Sequence, residues 1–206
     1  MFRELLVQVC EQIGEVRDIA ATGRADTAIR LCRERDPDLL ILDLQLEEAA
    51  DGFEVIEAIR EQGSAPKIVV LTAFTDDYTL TRAHRARVDA FLQKEVHTHH
   101  DLLAAIGAIR LGRRYRNTVL EEFHQRKRED PFAPSKILGE RDERILRLYG
   151  LGLSDHDVGE RLGVSARTAC NNRLRVMGLL QLPDFKSLVL YALRNGYARV
   201  KQRLSR

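Results

Sequence analysis

The stretch Asp38-Leu39-Leu40-Ile41-Leu42-Asp43-Leu44 constrains this chain more than any other. An unbroken apolar run this short does not make a free-standing helix. It suits a strand buried on both faces. Such strands belong to parallel sheets with helices on each side, and ligand chemistry in those sheets gathers at the carboxyl ends of the strands. Asp43 lies near that end. It is either a charge that reaches the rim to act or a carboxylate held there by a partner.

The rest of the first half repeats the theme. Residues 2–12 carry Phe2, Leu5, Leu6 and Val9 at helical spacing, with Ile13 just beyond. Residues 16–21 read as a short strand. Residues 25–35 read as a helix stopped by Pro37. After the apolar strand at 39–44, residues 53–60 form a helix with Val55, Ile56 and Ile59 on one face, ended by Gly63 and Pro66. Residues 67–73 are a second buried strand, 77–87 a polar helix, 90–94 a third buried strand and 101–111 a closing helix. Helices and strands alternating at this spacing predict an open parallel sheet. Three strand ends carry different polar groups, Asp43, Thr72 and Lys94. Side by side, they would converge on one rim. A carboxylate, a hydroxyl and an ammonium suit a phosphoryl group: the first accepts it and the others bind its oxygens.

Composition separates this half from the next. Residues 1–116 carry 16 Lys and Arg against 20 Asp and Glu, a net of −4. Residues 117–206 carry 17 against 11, a net of +6, and from 165 onward nine basic residues face the single acid Asp184. An acidic half joined to a basic half predicts that only the second meets a polyanion. Cys10, Cys32 and Cys170 form no metal or redox spacing and read as reduced thiols of a cytoplasmic protein. The amino terminus lacks the pattern of a signal peptide, and no apolar run approaches a membrane span.

Residues 1–111 resemble the response regulators of bacterial two-component systems. The resemblance rests on Asp43 after one buried strand, Thr72-Ala73 after the next, Lys94 after the third, and Phe91 three residues before that lysine. It implies a flavodoxin-like receiver in which Asp43 is the phosphoacceptor. Thr72 and Lys94 would bind the phosphoryl group, Phe91 would be the aromatic switch, and a sensor histidine kinase would be the donor. The family begins with a strand and an acidic pair that holds Mg²⁺ beside the phosphoacceptor. Here that first strand and both acids are absent, so Asp43 alone is a weak Mg²⁺ ligand. In the strand order 2-1-3-4-5 the absent strand would lie between residues 16–21 and 39–43. A start internal to a longer gene product explains this better than a degenerate receiver. The loop after Asp43 is also altered: Leu46-Glu47 replaces the usual Met-Pro, and Gly52 falls one residue late. His97, His99 and His100 lack Cys partners and read as a solvated loop rather than a metal site.

Residues 117–135, charged and then broken by Pro131 and Pro134, read as a tether that is helical at most at its start. Four short helices follow in residues 136–206. Ser154 caps residues 155–162, with Leu153 and Val158 placed as a hydrophobic staple. Gly163 stops that helix, and Ser165 caps the next, residues 166–179. Two helices joined by a short turn containing Gly are a helix-turn-helix. The second of them carries Arg167, Thr168, Cys170, Asn171, Asn172, Arg173 and Arg175 and no acid. Arg and Thr suit phosphates, and Asn suits adenine edges in a major groove. Leu151-Gly152-Leu153-Ser154, Leu162-Gly163-Val164-Ser165, Thr168 and Tyr191-Ala192-Leu193-Arg194-Asn195-Gly196 resemble the LuxR/NarL type of this domain. That resemblance implies that these seven residues face DNA and that the fourth helix makes a homodimer. Ala169, Cys170, Asn172 and Leu174 depart from the family at or near base-reading positions, so the target sequence does not carry over.

The chain is therefore expected to be a cytoplasmic DNA-binding transcriptional regulator, with no enzymatic activity and no membrane partner. Asp43 would control the helix-turn-helix. The rival is a phosphorylation-independent interaction or dimerisation module whose DNA binding is atypical or vestigial.

Overall fold

The computed structural model describes residues 2–14, 16–46, 51–94, 98–113, 115, 118–131 and 133–199. Two compact units divide the chain: residues 1–75 with 82–121, and residues 76–81 with 122–206.

The first unit is an α/β layer built on three parallel strands, β1 (Leu39–Asp43), β2 (Lys67–Thr72) and β3 (Ala90–Gln93), in the order β1-β2-β3. Its helices are α1 (Phe2–Glu11), α2 (Ala25–Arg35), α3 (Gly52–Glu61) and α5 (Thr98–Arg110), with the last turn of α4 (Asp77–Arg85), whose residues 77–81 belong to the second unit. β2 has neighbours on both edges, and its residues Ile68 to Thr72 are all buried. Val69, Leu71, Ala90 and Leu92 point to one face and pack with Val9 of α1 and Leu102, Ala105 and Ile106 of α5. Alternation along the strand sends Ile68, Val70 and Phe91 to the other face, also fully buried.

Two sequence expectations give way here. Residues 16–21 form no strand; they run as irregular chain, and all but Ile19 are exposed. A short strand is held only by a neighbour's ladder, and none of the described residues offers one to this segment. In consequence β1 has a partner on one edge alone. It is half-buried, with only Leu42 below a tenth exposed, so β2 and not β1 is the strand buried on both faces. His99 and His100 lie in the first turn of α5, both exposed, rather than in a loop. His97 lies outside the described residues.

The stretch expected as a tether holds two helices, α6 (Thr118–Glu129) and α7 (Pro134–Ile137). α6 buries Leu120 and Phe123, three apart on one face.

The second unit contains α8 (Glu140–Gly150), α9 (Asp155–Leu162), α10 (Ala166–Leu179) and α11 (Phe185–Arg194). Its core is Ile145, Leu146, Tyr149, Val158, Ala169, Val176, Leu188 and Ala192, all fully buried. Local chemistry sets the helix limits. The Ser154 hydroxyl accepts from the Asp157 N–H at 3.2 Å, and the Asp157 carboxylate accepts from the Ser154 N–H at 3.0 Å. That reciprocal pair satisfies donors the helix start leaves open. Gly163 ends α9 at φ +67°, a left-handed conformation that costs other residues more. Ser165 then accepts from the Thr168 N–H at 3.1 Å and opens α10. Gly159 permits the tight turn: a Cβ there would stand 2.7 Å from the Val164 carbonyl oxygen.

Candidate phosphoryl site and nucleic-acid interface

Strand register decides which strand-end groups meet. Asp43 stands opposite Leu71, and Leu71 opposite Leu92. Lys94, two residues beyond Leu92, therefore returns to the face of Asp43. The two groups meet: the Lys94 Nζ donates to Oδ2 of Asp43. Their side chains are 20% and 30% exposed, so the pair sits at the rim within reach of solvent. Oδ1 of Asp43 accepts from the Gln45 N–H at 2.9 Å.

Thr72 and Phe91 lie on the other face, both fully buried. Thr72 stands opposite Gln93 and Phe91 opposite Val70, which makes them diagonal neighbours. The Thr72 hydroxyl accepts from the Phe74 N–H at 3.1 Å, and the Thr72 carbonyl accepts from the Lys94 N–H at 2.8 Å. All the expected strand-end groups are thus at the carboxyl end of the sheet, but on two faces. A phosphoryl group on Asp43 would meet Lys94 directly, while the Thr72 hydroxyl is turned toward its own loop.

The loop after β1 closes through a bridge between Gln45 and Asp51; Glu47 falls outside the described residues. Asp51 caps α3, accepting from the Phe53 N–H at 3.1 Å, and pairs with Arg82, whose guanidinium lies 4.5 Å over the Phe53 ring. These contacts bear on Mg²⁺. A hard cation of this size takes near-octahedral oxygen ligands, usually one or two carboxylates with water. Asp43 is already paired with the Lys94 ammonium, which repels a cation, and Asp51 is committed to Arg82 and the α3 cap, so no second carboxylate among the described residues is available beside it. The described residues at this rim do not fit a Mg²⁺ site. Among the described residues, the group whose metal-ligating atoms lie together, within 4.8 Å, is instead His156, Asp157 and Glu160 on α9, all exposed.

The second candidate surface is α10, and its helical phase sorts the residues singled out in the sequence. At about 100° per residue, Arg167, Asn171, Leu174 and Arg175 fall within about 60° of Asn171. All four are exposed, as is Thr168 at the edge of the same stripe. Thr168 shares a hydrogen bond of 2.8 Å with the Ser165 hydroxyl. Arg175 is half-exposed and pairs with the largely buried Asp142 of α8. Among the described residues no ion pair is made by Arg167.

Cys170, Asn172 and Arg173 fall outside that stripe. Arg173 lies about 160° from Asn171 and points into the unit. Its Nε and Nη2 donate to the two oxygens of Asp155, each at 3.0 Å. Its guanidinium sits 5.7 Å from the Tyr149 ring centre and 5.3 Å from that of Phe185. The Tyr149 hydroxyl donates to the same carboxylate at 2.8 Å. The Arg173 hydrogen bond holds the Asp155 carboxyl below the usual carboxylate range, against the opposing effect of burial. Burial, then the bond to Asp155, pushes the Tyr149 hydroxyl well above the ordinary tyrosine range. Arg173 thus ties α8, α9, α10 and the start of α11 together. Cys170 is half-buried, and its sulfur accepts from Arg173 at 3.4 Å. Among the described residues the buried Asn172 Nδ2 has no hydrogen-bond partner. The sequence marks Leu174 as a departure near a base-reading position but leaves it out of the contact set. It is 54% exposed on the outward face, about 60° from Asn171, and that phase is the signal that could have placed it there.

Comparison with known proteins agrees with this architecture. Residues 1–107 match the family model described as the response regulator receiver domain. The oxygen regulatory protein NreC of Staphylococcus haemolyticus is 28% identical over 184 residues, spanning 85% of this chain and 84% of that protein. The transcriptional regulatory protein LiaR of Bacillus subtilis is 29% identical over 198 residues, spanning 95% and 93%. Among solved structures, RcsB of Salmonella enterica serovar Typhimurium bound to promoter P1flhDC superposes with a TM-score of 0.60 at 19% identity, covering 90% of this chain and 89% of that one. At that identity the likeness is one of fold.

Proposed function

This chain belongs to the family of response regulator receiver domains, and from that premise we propose that it is a DNA-binding transcriptional regulator of two-component signalling. The observation that carries the reading is the outward face of α10. It presents Arg167, Asn171 and Arg175 to solvent and carries no acid, at the second helix of a capped helix-turn-helix. Such a face suits phosphates at its margins and base edges at its centre. Its relatives NreC and LiaR are named as regulatory proteins, which favours a regulatory over a catalytic role. No helix among the described residues is long and apolar enough to cross a membrane. A cytoplasmic site of action follows from the reading.

The DNA-contacting set is Arg167, Thr168, Asn171 and Arg175, with Cys170 at its edge. Arg173 and Asn172, placed in that set by the sequence, act instead inside the unit that positions it. The receiver occupies residues 1–116 and the DNA-binding domain residues 136–206, with α6 between them and α7 running into the second. α11, which leaves Leu190 40% exposed, supplies the homodimer contact. Asp43 accepts the phosphoryl group from a sensor histidine kinase. On transfer, an Asp43 carboxylate oxygen bonds to phosphorus and the donor nitrogen leaves. Lys94 then neutralises the phosphoryl oxygens, and Thr72 and Phe91 answer the change from the opposite face.

One observation favours a second reading, in which the receiver acts without phosphorylation. Asp43 is paired with Lys94, and the described rim offers no second free carboxylate for Mg²⁺. The test treats the full chain with a small phosphodonor, with and without Mg²⁺, and measures both labelling and affinity for duplex DNA. Label that is lost in Asp43→Asn, together with a rise in DNA affinity, supports phosphorylation control. DNA binding that never changes, with no label, establishes the second reading. Absence of DNA binding in every condition overturns the DNA-binding reading and leaves an interaction or dimerisation module.

A further inference from the structure

Leu174 is the one large apolar side chain on a face that is otherwise cationic and polar. It lies 54% exposed, flanked by Arg167, Asn171 and Arg175. An isolated exposed leucine is unremarkable on most surfaces. Its position here is what carries meaning. Leu174 follows Asn171 by three residues, about 4.5 Å along the helix axis and about 60° around it. Two side chains so placed on a helix in a major groove reach base pairs one or two steps apart.

The chemistry of the groove then limits what Leu174 can meet. A partner for this face must be anionic overall, because the side chains around the leucine are cationic or neutral donors. Within a DNA major groove every base presents hydrogen-bonding groups, and the apolar feature is the methyl group on C5 of thymine. A leucine pressed against any other base edge strips water from a polar group and returns no hydrogen bond. Against a C5-methyl it buries apolar surface on both sides.

We infer that Leu174 selects a base carrying a C5-methyl group, thymine in ordinary DNA, one or two base pairs from the position read by Asn171. The inference rests on α10 being the DNA-contacting helix. It deepens that reading by assigning a base class to a residue that the pattern of polar side chains passes over. Leu174 makes no structural demand that complicates the test. It lies outside the buried cluster formed by Ala169, Val176 and Met177 on the same helix.

The experiment uses the full chain. A bound site is first selected from random duplexes. Each thymine in it is then replaced in turn by deoxyuridine, which removes only the methyl group. One replacement should weaken wild-type binding about three- to fivefold, the worth of one buried methyl. The same replacement should leave Leu174→Ala unaffected, and Leu174→Met should retain most of the discrimination. In a parallel series, 5-methylcytosine should bind better than cytosine at that position by a similar factor, which assigns the effect to the methyl. A selected site indifferent to every deoxyuridine overturns the inference while leaving DNA binding by α10 intact. So does a site whose sensitivity persists in Leu174→Ala. If no duplex is selected at all, the DNA-binding reading fails and this inference fails with it.

Discussion

Replacing Arg173 by alanine separates a structural arginine from a DNA-contacting one. The side chain makes two charge-assisted hydrogen bonds of 3.0 Å to Asp155 and faces the rings of Tyr149 and Phe185. Removing one member of a fully buried ion pair costs about 3–5 kcal/mol, largely because the other charge stays unpaired. Here the two side chains keep 18% and 31% of their exposure, so water recovers part of that loss. About 2–3 kcal/mol remains as the expected destabilisation of the α8–α11 unit. Asp155 adds a pH signature. Its carboxyl is held below the ordinary value by Arg173, so the pair contributes its full stability above the unfolded carboxyl pKa of about 3.9. That contribution is lost as pH falls through the lowered folded value. The gap between wild type and Arg173→Ala should therefore be constant near neutrality and shrink below about pH 4. Hydrogen exchange of the α9 and α10 amides reads this local stability without requiring the whole chain to unfold as one. Arg173→Lys keeps the charge but cannot span both carboxylate oxygens, and should recover less than half of the loss. Unchanged protection in Arg173→Ala, with a DNA salt slope lowered by about one unit, would show that the arginine holds a phosphate and would refute the reasoning.

Two further substitutions test the turn that sets α10. Gly159→Ala places a Cβ 2.7 Å from the Val164 carbonyl oxygen and should cost about 1–3 kcal/mol, seen as a lowered thermal midpoint of the helical signal. Ser165→Ala removes the acceptor for the Thr168 N–H and should cost about 1 kcal/mol in the same melt, with Ser165→Asp recovering most of it.

The helix-turn-helix was legible because its punctuation is local. Ser154, Gly163 and Ser165 each act within three or four residues, and α9 begins and ends, and α10 begins, at the residues those signals name. The sheet was legible in part. The apolar runs ending at Asp43, Thr72 and Gln93 became strands, but residues 16–21 did not, because a strand depends on a neighbour that its own sequence does not contain. The same dependence demoted β1 from a central strand to a half-buried edge. In the stretch 117–135, charge and proline concealed Leu120 and Phe123, whose spacing of three is a helical signal. Arg173 failed for a different reason. Its helical phase was open to calculation, but its partner Asp155 lies 18 residues away on another helix. A basic residue in a basic helix looks like a phosphate ligand until that partner is placed.

The central claim is that the outward face of α10 binds DNA. The most direct measurement is a salt titration of the full chain on random-sequence duplex between about 50 and 200 mM, comparing wild type with Arg167→Ala. Each phosphate held contributes about 0.9 to the slope of log affinity against log salt. The account predicts a steep negative slope for wild type, reduced by about one unit in Arg167→Ala, with affinity lowered for all sequences alike. Binding that is independent of salt, or a slope that Arg167→Ala leaves unchanged, would contradict it.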